Sequence, residues 1–475
     1  MSQTLSIERL VDEQKIRWFN ISLLVWCFLA MWADGYEISA MPFAAPELVR
    51  QWHVAAADFR TVFPASNFGV LFGAPLLGYI GDKLGRRVAI VLGSLIFGVF
   101  TLAMMWATDL PQMFWLRFLT GIGIGGLMPN TIALNSELAP RRWRATLIVI
   151  MFTGITLGSA SPGPVAGWLV PDHGWKIVFL IGGVVPLFVA ACLWFVLPES
   201  VKFLASRPAR RAELLRTVRR MRPDLTIPDD AQFVAEAPPP APAGRSKLAL
   251  EPIFRGGLAF ITPLLWICFA TTLMANYFLN NWLPLILEGN GMSPKEAAIA
   301  TVLYHVGGFV GGVLVSVLLK RYGFVAITVL FALAVPAIAV LGTSALSHVL
   351  LAFFCGFAGF TVLGAQFGNN ACAGLIYPTE ARAQGAGWAL GIGRFGSIVG
   401  PYVGGVLVAM VAAKEMTLQQ LFAWAATPMV LGCVAAILVA RLCYLRFRGN
   451  RLDDKPAESQ AAAPGSVSKE SPARA

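Results

Sequence analysis

The chain has 475 residues, 57% of them hydrophobic and only 13% charged, about half the charged share of a soluble domain. This balance excludes an ordinary soluble enzyme and a disordered chain, and it points to an all-α polytopic membrane protein. The net charge of +11 raises nucleic acid as a partner, so the placement of the basic residues decides.

A helix of about 20 apolar residues crosses a bilayer. Twelve such spans are predicted, at 18–43, 60–81, 87–108, 111–135, 145–170, 175–197, 257–286, 297–319, 323–343, 347–376, 383–410 and 418–442, with both termini cytoplasmic. Arg50, Arg60, Lys176, Lys295 and Lys414 fall on the outer side, and Arg117 and Arg394 fall inside spans. The other 30 Lys and Arg lie in segments assigned to the cytoplasm. This positive-inside pattern accounts for the charge without nucleic acid. The polar segment before residue 18 lacks a small-residue cleavage site, so the first span reads as retained. Seven scattered Cys with no CxxC, and four His with no HxxxH, give no metal site. No cofactor is expected.

Four regions follow: an N-terminal six-helix bundle with its tail (1–197), a cytoplasmic connector (198–256), a C-terminal six-helix bundle (257–445) and a disordered cytoplasmic tail (446–475).

Span 1 holds "MWADGYEISAMPF", with Asp34 and Glu37 three residues apart. A carboxylate at mid-membrane costs roughly 2.5–3.5 kcal/mol. Such residues are functional by default, and this pair is the candidate proton-coupling site. Spans 2 and 3 are joined by "GYIGDKLGRR". In it Gly78 is expected at a close helix approach, Gly85 at a tight turn and Asp82 at the start of span 3, with Arg86 on the cytoplasmic face. Span 4 and its exit, "RFLTGIGIGGLMPNTIALNSELAPRRWR", contain a GxGxxG match. No strand precedes it, so it reads as a small-residue packing face rather than a nucleotide site. Arg117 lies in the outer half of span 4, where an ion pair with the span 1 acids would lower the cost of all three charges. Glu137 lies at the exit of span 4.

In the connector, "APPPAPAGR" reads as extended chain and "AELLRTVRRMR" as a basic amphipathic helix. The helix suits either anionic headgroups or a solvated surface. Span 7 offers Asn276, Tyr277 and Asn280, span 8 His305, and span 10 Gln366 and Asn369. Each fits either an interhelical hydrogen bond or a ligand contact. Arg382 opens span 11. Arg394 lies about 16 Å from its inner end, near the midplane. Spans 7 to 12 supply no acid for it, so a substrate carboxylate is the expected partner. The acids of span 1 then form a proton site distinct from, and far from, the anion site at Arg394.

The halves read as a duplication. A shift of 243 residues carries Gly121, Gly125 and Glu137 onto Gly364, Gly368 and Glu380. A shift of 238 carries Arg144, Gly158 and Gly167 onto Arg382, Gly396 and Gly405. Two parallel bundles around a central cavity follow from such a repeat.

With "DGYE", "GDKLGRR", "RFLTGIGIGGLMPN", "PESVKFL" and "YPTEARAQGAGW…GIGRFGSIVGP" in place, the chain resembles major facilitator superfamily transporters, and within them the aromatic acid:proton symporter family. The resemblance implies the major facilitator fold and multi-pass residence in the bacterial inner membrane. It further implies a monomer importing a benzoate or hydroxybenzoate with protons by alternating access, with no enzymatic activity. It also marks the span 1 acids, Asp82, Arg117, Glu137, Arg382 and Arg394 as the positions that matter. Glu37 departs from the family, which usually carries Asp there. Two alternatives stay open. One is import of another small organic acid or a sugar. The other is proton-coupled export, for which "GPVAG" at 163–167 is a partial motif match.

Overall fold

The computed structural model describes residues 4–228, 231–234, 250–255, 257–343, 346–377 and 381–447. The Pro-rich stretch, Glu380 and the tail from 448 lie outside them. Among the described residues, twelve helices of 17 residues or more dominate. They are α1 (Trp18–Trp52), α2 (Phe59–Leu84), α3 (Arg86–Ala103), α4 (Leu110–Leu138), α5 (Arg141–Ala160) and α6 (Lys176–Val196) in the first half. The second half contains α7 (Leu258–Gly289), α8 (Pro294–Tyr322), α9 (Phe324–Val340), α10 (His348–Ile376), α11 (Arg382–Ala412) and α12 (Leu418–Phe447). Among the described residues, ten helices are long and apolar enough to cross a membrane. The two other expected positions are filled by α4 and by the shorter apolar α9.

Several boundaries differ from expectation. Helix α1 continues to Trp52, giving 35 residues and a length of about 52 Å. Counting apolar residues alone stops at Phe43, but the polar end carrying Glu47 and Arg50 remains helical. The expected fifth span is interrupted after Ala160. Pro162 and Pro164 each remove a backbone donor, and the ladder re-forms through a π turn at Val165–Leu169.

Lipid gives helices no hydrophobic drive to associate, so they pack through small residues at close range. The same pairings occur in both halves: α1 with α5, α2 with α4 and α3 with α6, mirrored by α7 with α11, α8 with α10 and α9 with α12. The glycines related by the internal repeat occupy matching contacts. Gly158 of α5 abuts the Trp32 carbonyl of α1, and Gly396 of α11 abuts the Ala270 carbonyl of α7.

The halves meet in the portion of the bundle away from the connector. There one buried apolar cluster runs from Met41, Leu48 and Phe63 to Phe278, Trp282 and Leu283. Phe63 meets Trp282 edge to face at 4.9 Å, the Trp282 indole donates to the Pro401 carbonyl at 2.8 Å, and Arg50 pairs with Glu288 at 2.8 Å. Gly163 of the interrupted fifth span abuts Val302 of α8.

At the connector end, strand β1 (Thr4–Ser6) pairs in parallel with β2 (Gln232–Val234), a pairing absent from the sequence reading. The basic helix Arg211–Met221 packs one face on the protein and leaves Arg216 and Arg220 exposed on the other. Its apolar face, including Leu214, Val218 and Met221, is buried with Leu10 and Val11 of the N-terminal segment against Leu134 and Leu138 of α4.

The α2–α3 turn is a single residue. Gly85 has φ 114° and ψ 152°, a region open in practice only to glycine. A Cβ there would also collide with the Glu199 carboxylate. Asp82 sits in the last turn of α2 rather than at the start of α3. A carboxylate is disfavoured at that end of a helix, and Arg86 compensates at 2.7 Å. Gly78 faces open space and makes no close approach. Gly81 does so instead, against the Asn130 side chain. Arg86 also reaches Asn130 at 3.4 Å and Glu137 at 3.9 Å, and Glu137 accepts from the Ser200 hydroxyl. Glu199 is fully buried, and its Oε1 accepts from the Ser200 N–H at 2.9 Å and the Arg87 N–H at 3.3 Å.

Two outcomes follow. Gly85→Ala adds a forbidden backbone angle to a collision, at a cost of about 1–3 kcal/mol. A lowered melting temperature in detergent is expected, and an unchanged one contradicts the turn. Burial pushes the Glu199 carboxyl above its usual range. The folded state therefore holds that proton more tightly than the unfolded one, and the resulting stability fades as pH rises through the folded pKa. Glu199→Gln is thus expected to gain in melting temperature relative to the parent as pH is raised from about 4.3, the free glutamate value, toward neutral. A relative loss over that range contradicts the assignment.

Candidate functional site

Each residue of "DGYE" has its own neighbour. Gly35 abuts the Ile155 carbonyl, so α1 lies directly on α5. Its own carbonyl accepts from Ser159 at 3.1 Å. The Tyr36 hydroxyl donates to the Val178 carbonyl of α6 at 3.0 Å. With these two faces fixed, Asp34 and Glu37 turn toward the centre of the protein.

Glu37 meets Arg117 at 3.2 Å, and both side chains are only 2% exposed. Arg117 also donates to the Val62 carbonyl at 3.1 Å and to the Ser66 hydroxyl at 3.0 Å. The guanidinium is thus shared between α1 and α2, and one positive charge offsets one of the two acids. Asp34 is buried, and its Oδ1 finds no protein hydrogen-bond partner among the described residues.

Asp34 and Glu37 face a cavity of about 180 Å³ between the halves. Ile38, Ser66, Asn67, Val70, Ile124, Met128 and Ile155 complete the N-terminal wall. The opposite wall holds Leu273, Tyr277, Gln366, Asn370, Leu390 and Arg394. Arg394 lines the cavity opposite Asp34, close enough for the two charges to interact, and among the described residues no ion pair fixes its guanidinium. The expected distance between the span 1 acids and Arg394 does not hold. Both acids and Arg394 line one cavity, because the halves pack face to face. Sequence depth gives height in the membrane but not which helices oppose one another.

The other singled-out residues divide. Tyr277 and Gln366 line the cavity, and the buried Gln366 Oε1 has no protein partner among the described residues. Asn276, Asn280, His305 and Asn369 are not on its walls. Asn276 accepts from the Tyr304 hydroxyl at 2.8 Å, and Asn369 donates to Thr272 at 3.2 Å. Asn280 donates to Ser39 of α1 at 3.2 Å, and His305 lies 3.4 Å from both. These three form a polar bridge between the halves, beyond the cavity on the side away from the connector. Gly78, Asp82, Gly85, Arg86, Glu137 and the exposed Arg382 all lie toward the connector end, away from the cavity. Sequence reasoning passed over Ser66, Asn67 and Ser397 as wall residues. The polar pair inside apolar "FPASNFG" was a usable signal for the first two.

A family model described as Major Facilitator Superfamily matches residues 27–372 and 265–473. The chain is 35% identical to a gallate transporter of Pseudomonas putida, covering 84% of this chain and 88% of that one. It is 34% identical to the 4-hydroxybenzoate transporter PcaK of the same species, covering 90% and 94%. Its fold is similar to the partially occluded inward open conformation of the xylose transporter XylE from E. coli, with a TM-score of 0.66 and 15% identity, over 88% of this chain and 97% of that one. With its repeated six-helix halves around a central cavity, the chain belongs to the Major Facilitator Superfamily and is a multi-pass membrane transporter rather than an enzyme.

Proposed function

We propose that the protein imports a single-ring aromatic carboxylate together with protons, by alternating access, across the bacterial inner membrane, and that it works as a monomer. The observation that carries this reading is one cavity holding, among the described residues, an arginine without an ion pair and two buried acids, of which Glu37 is ion-paired and Asp34 is not. The planar guanidinium of Arg394 suits a carboxylate. The volume of about 180 Å³ is small beside drug-sized pockets, and cavities of about 150 Å³ accept one benzene ring. Ile124, Met128, Leu273 and Leu390 supply apolar walls, and Tyr277 is the one aromatic lining residue among those described. The unmet Gln366 amide oxygen is an acceptor for a phenolic hydroxyl. The relatives named for gallate and 4-hydroxybenzoate fit this chemistry.

The mechanism follows from charge. Arg117 offsets Glu37, leaving Asp34 to face the cavity with Arg394. A substrate carboxylate on Arg394 withdraws the cation that favours ionised Asp34, so substrate binding favours protonation there. One proton entering with one monocarboxylate leaves no added charge in the bilayer. The polar contacts described between the halves, Ser39–Asn280–His305 and Arg50–Glu288, lie away from the connector. With the connector in the cytoplasm, this is an inward-facing state. Opening the other side requires those contacts to part.

In proteoliposomes, uptake of radiolabelled 4-hydroxybenzoate is expected to rise when the outside is acidified. Arg394→Ala is expected to lower uptake at least 100-fold, with Arg394→Lys only partly restoring it. Asp34→Asn is expected to bind substrate yet lose the response to the pH gradient. Wild-type uptake indifferent to the gradient, or near-normal uptake by Arg394→Ala, contradicts the proposal.

A further inference from the structure

The connector end of the N-terminal half contains a feature that the transport cycle does not use. A hollow of about 730 Å³ lies where α3 begins and α6 ends, roofed by the helix Arg211–Met221. Five arginines line it, at 87, 210, 216, 219 and 220, against two glutamates. Both glutamates already have partners. Glu213 pairs with Arg210 at 2.8 Å, and Glu199 accepts from the Arg87 and Ser200 N–H groups. Arg216 and Arg220 are exposed on the outward face of their helix.

The hollow does not stop at the membrane surface. A second groove, of about 330 Å³, runs between α3 and α6 and shares Val88, Trp194 and Phe195 with it. Its remaining walls are Val91, Leu92, Leu95, Ala190 and Ala191, all apolar. This flank faces outward: Phe195 is 81% exposed and Trp194 50%. Arg87 stands at the junction. Its guanidinium lies 5.3 Å from the Trp194 ring and donates to the Trp194 carbonyl. A Trp and an Arg at one depth mark the headgroup level of a bilayer.

We infer that this continuous feature binds one anionic phospholipid of the cytoplasmic leaflet, with its phosphate among Arg87, Arg216 and Arg220 and an acyl chain in the α3–α6 groove. Neither part alone specifies a lipid. A basic hollow suits any phosphate, and an apolar groove suits any acyl chain. Their continuity at membrane depth selects a molecule carrying both, and the excess of arginine selects a net negative headgroup. The bound lipid links the connector helix to the first residues of α3, next to the Gly85 turn.

The test uses purified full-length protein and native mass spectrometry after delipidation. Phosphatidylglycerol, phosphatidylcholine with the same chains and inorganic phosphate are added separately. At least tenfold preferential retention of phosphatidylglycerol over phosphatidylcholine is expected, with no stable phosphate adduct. Arg216→Gln/Arg220→Gln is expected to lose most of that preference while keeping the parent melting temperature without lipid. Should the double variant unfold, Arg216→Gln alone, with a smaller loss, takes its place. Equal retention of the two lipids, an equivalent phosphate adduct or unchanged preference in the variants overturns the proposal.

Discussion

The structure turns on the burial of two carboxylates beside one arginine. Glu37 and Arg117 meet at 3.2 Å inside the N-terminal half. Removing either partner from such a pair leaves a buried charge whose cost is about 3–5 kcal/mol. Arg117 is held in turn by Val62 and Ser66, so the pair fastens α1 to α2 and α4 as well as neutralising charge. Glu37 is therefore the acid held in an ion pair, and in the proposed cycle Asp34 is the one whose charge state changes.

That division depends on backbone packing elsewhere. Gly35 lets α1 close onto α5, and Tyr36 ties it to α6. With these two helices seated on α1, both acids line the cavity between the halves. The second half brings Arg394 there on α11, held against α7 by the equivalent glycine contacts at Gly396 and Gly400. The repeated packing thus supplies the two walls. Their different side chains, acids on one and an arginine on the other, supply the chemistry that a symmetric pair of halves would lack.

Much of this was legible in the sequence, for identifiable reasons. Charges in an apolar run are so costly that Asp34, Glu37, Arg117 and Arg394 stood out singly, and matching depth in the membrane suggested the partner of Glu37. The glycine spacing revealed the repeat. Opposition across the interface was not legible. Nothing in the spacing distinguishes Gln366, which lines the cavity, from Asn369, which bonds to Thr272 within its own half. The fold of the connector was hidden for a related reason. The apolar face of Arg211–Met221 signalled burial, but its cover comes from residues 7–11 and α4, far away in sequence. Asp82 was misplaced because the turn is one residue long, a compactness that Gly85 alone permits.

The central claim, that acids and arginine act on the substrate in one shared cavity, is tested most directly by titration calorimetry of 4-hydroxybenzoate binding in buffers of different ionisation enthalpy. Binding is expected to take up about one proton near neutral pH, Asp34→Asn to abolish this uptake while still binding, and Arg394→Ala to abolish binding. Binding without proton exchange, unchanged by either substitution, would contradict it.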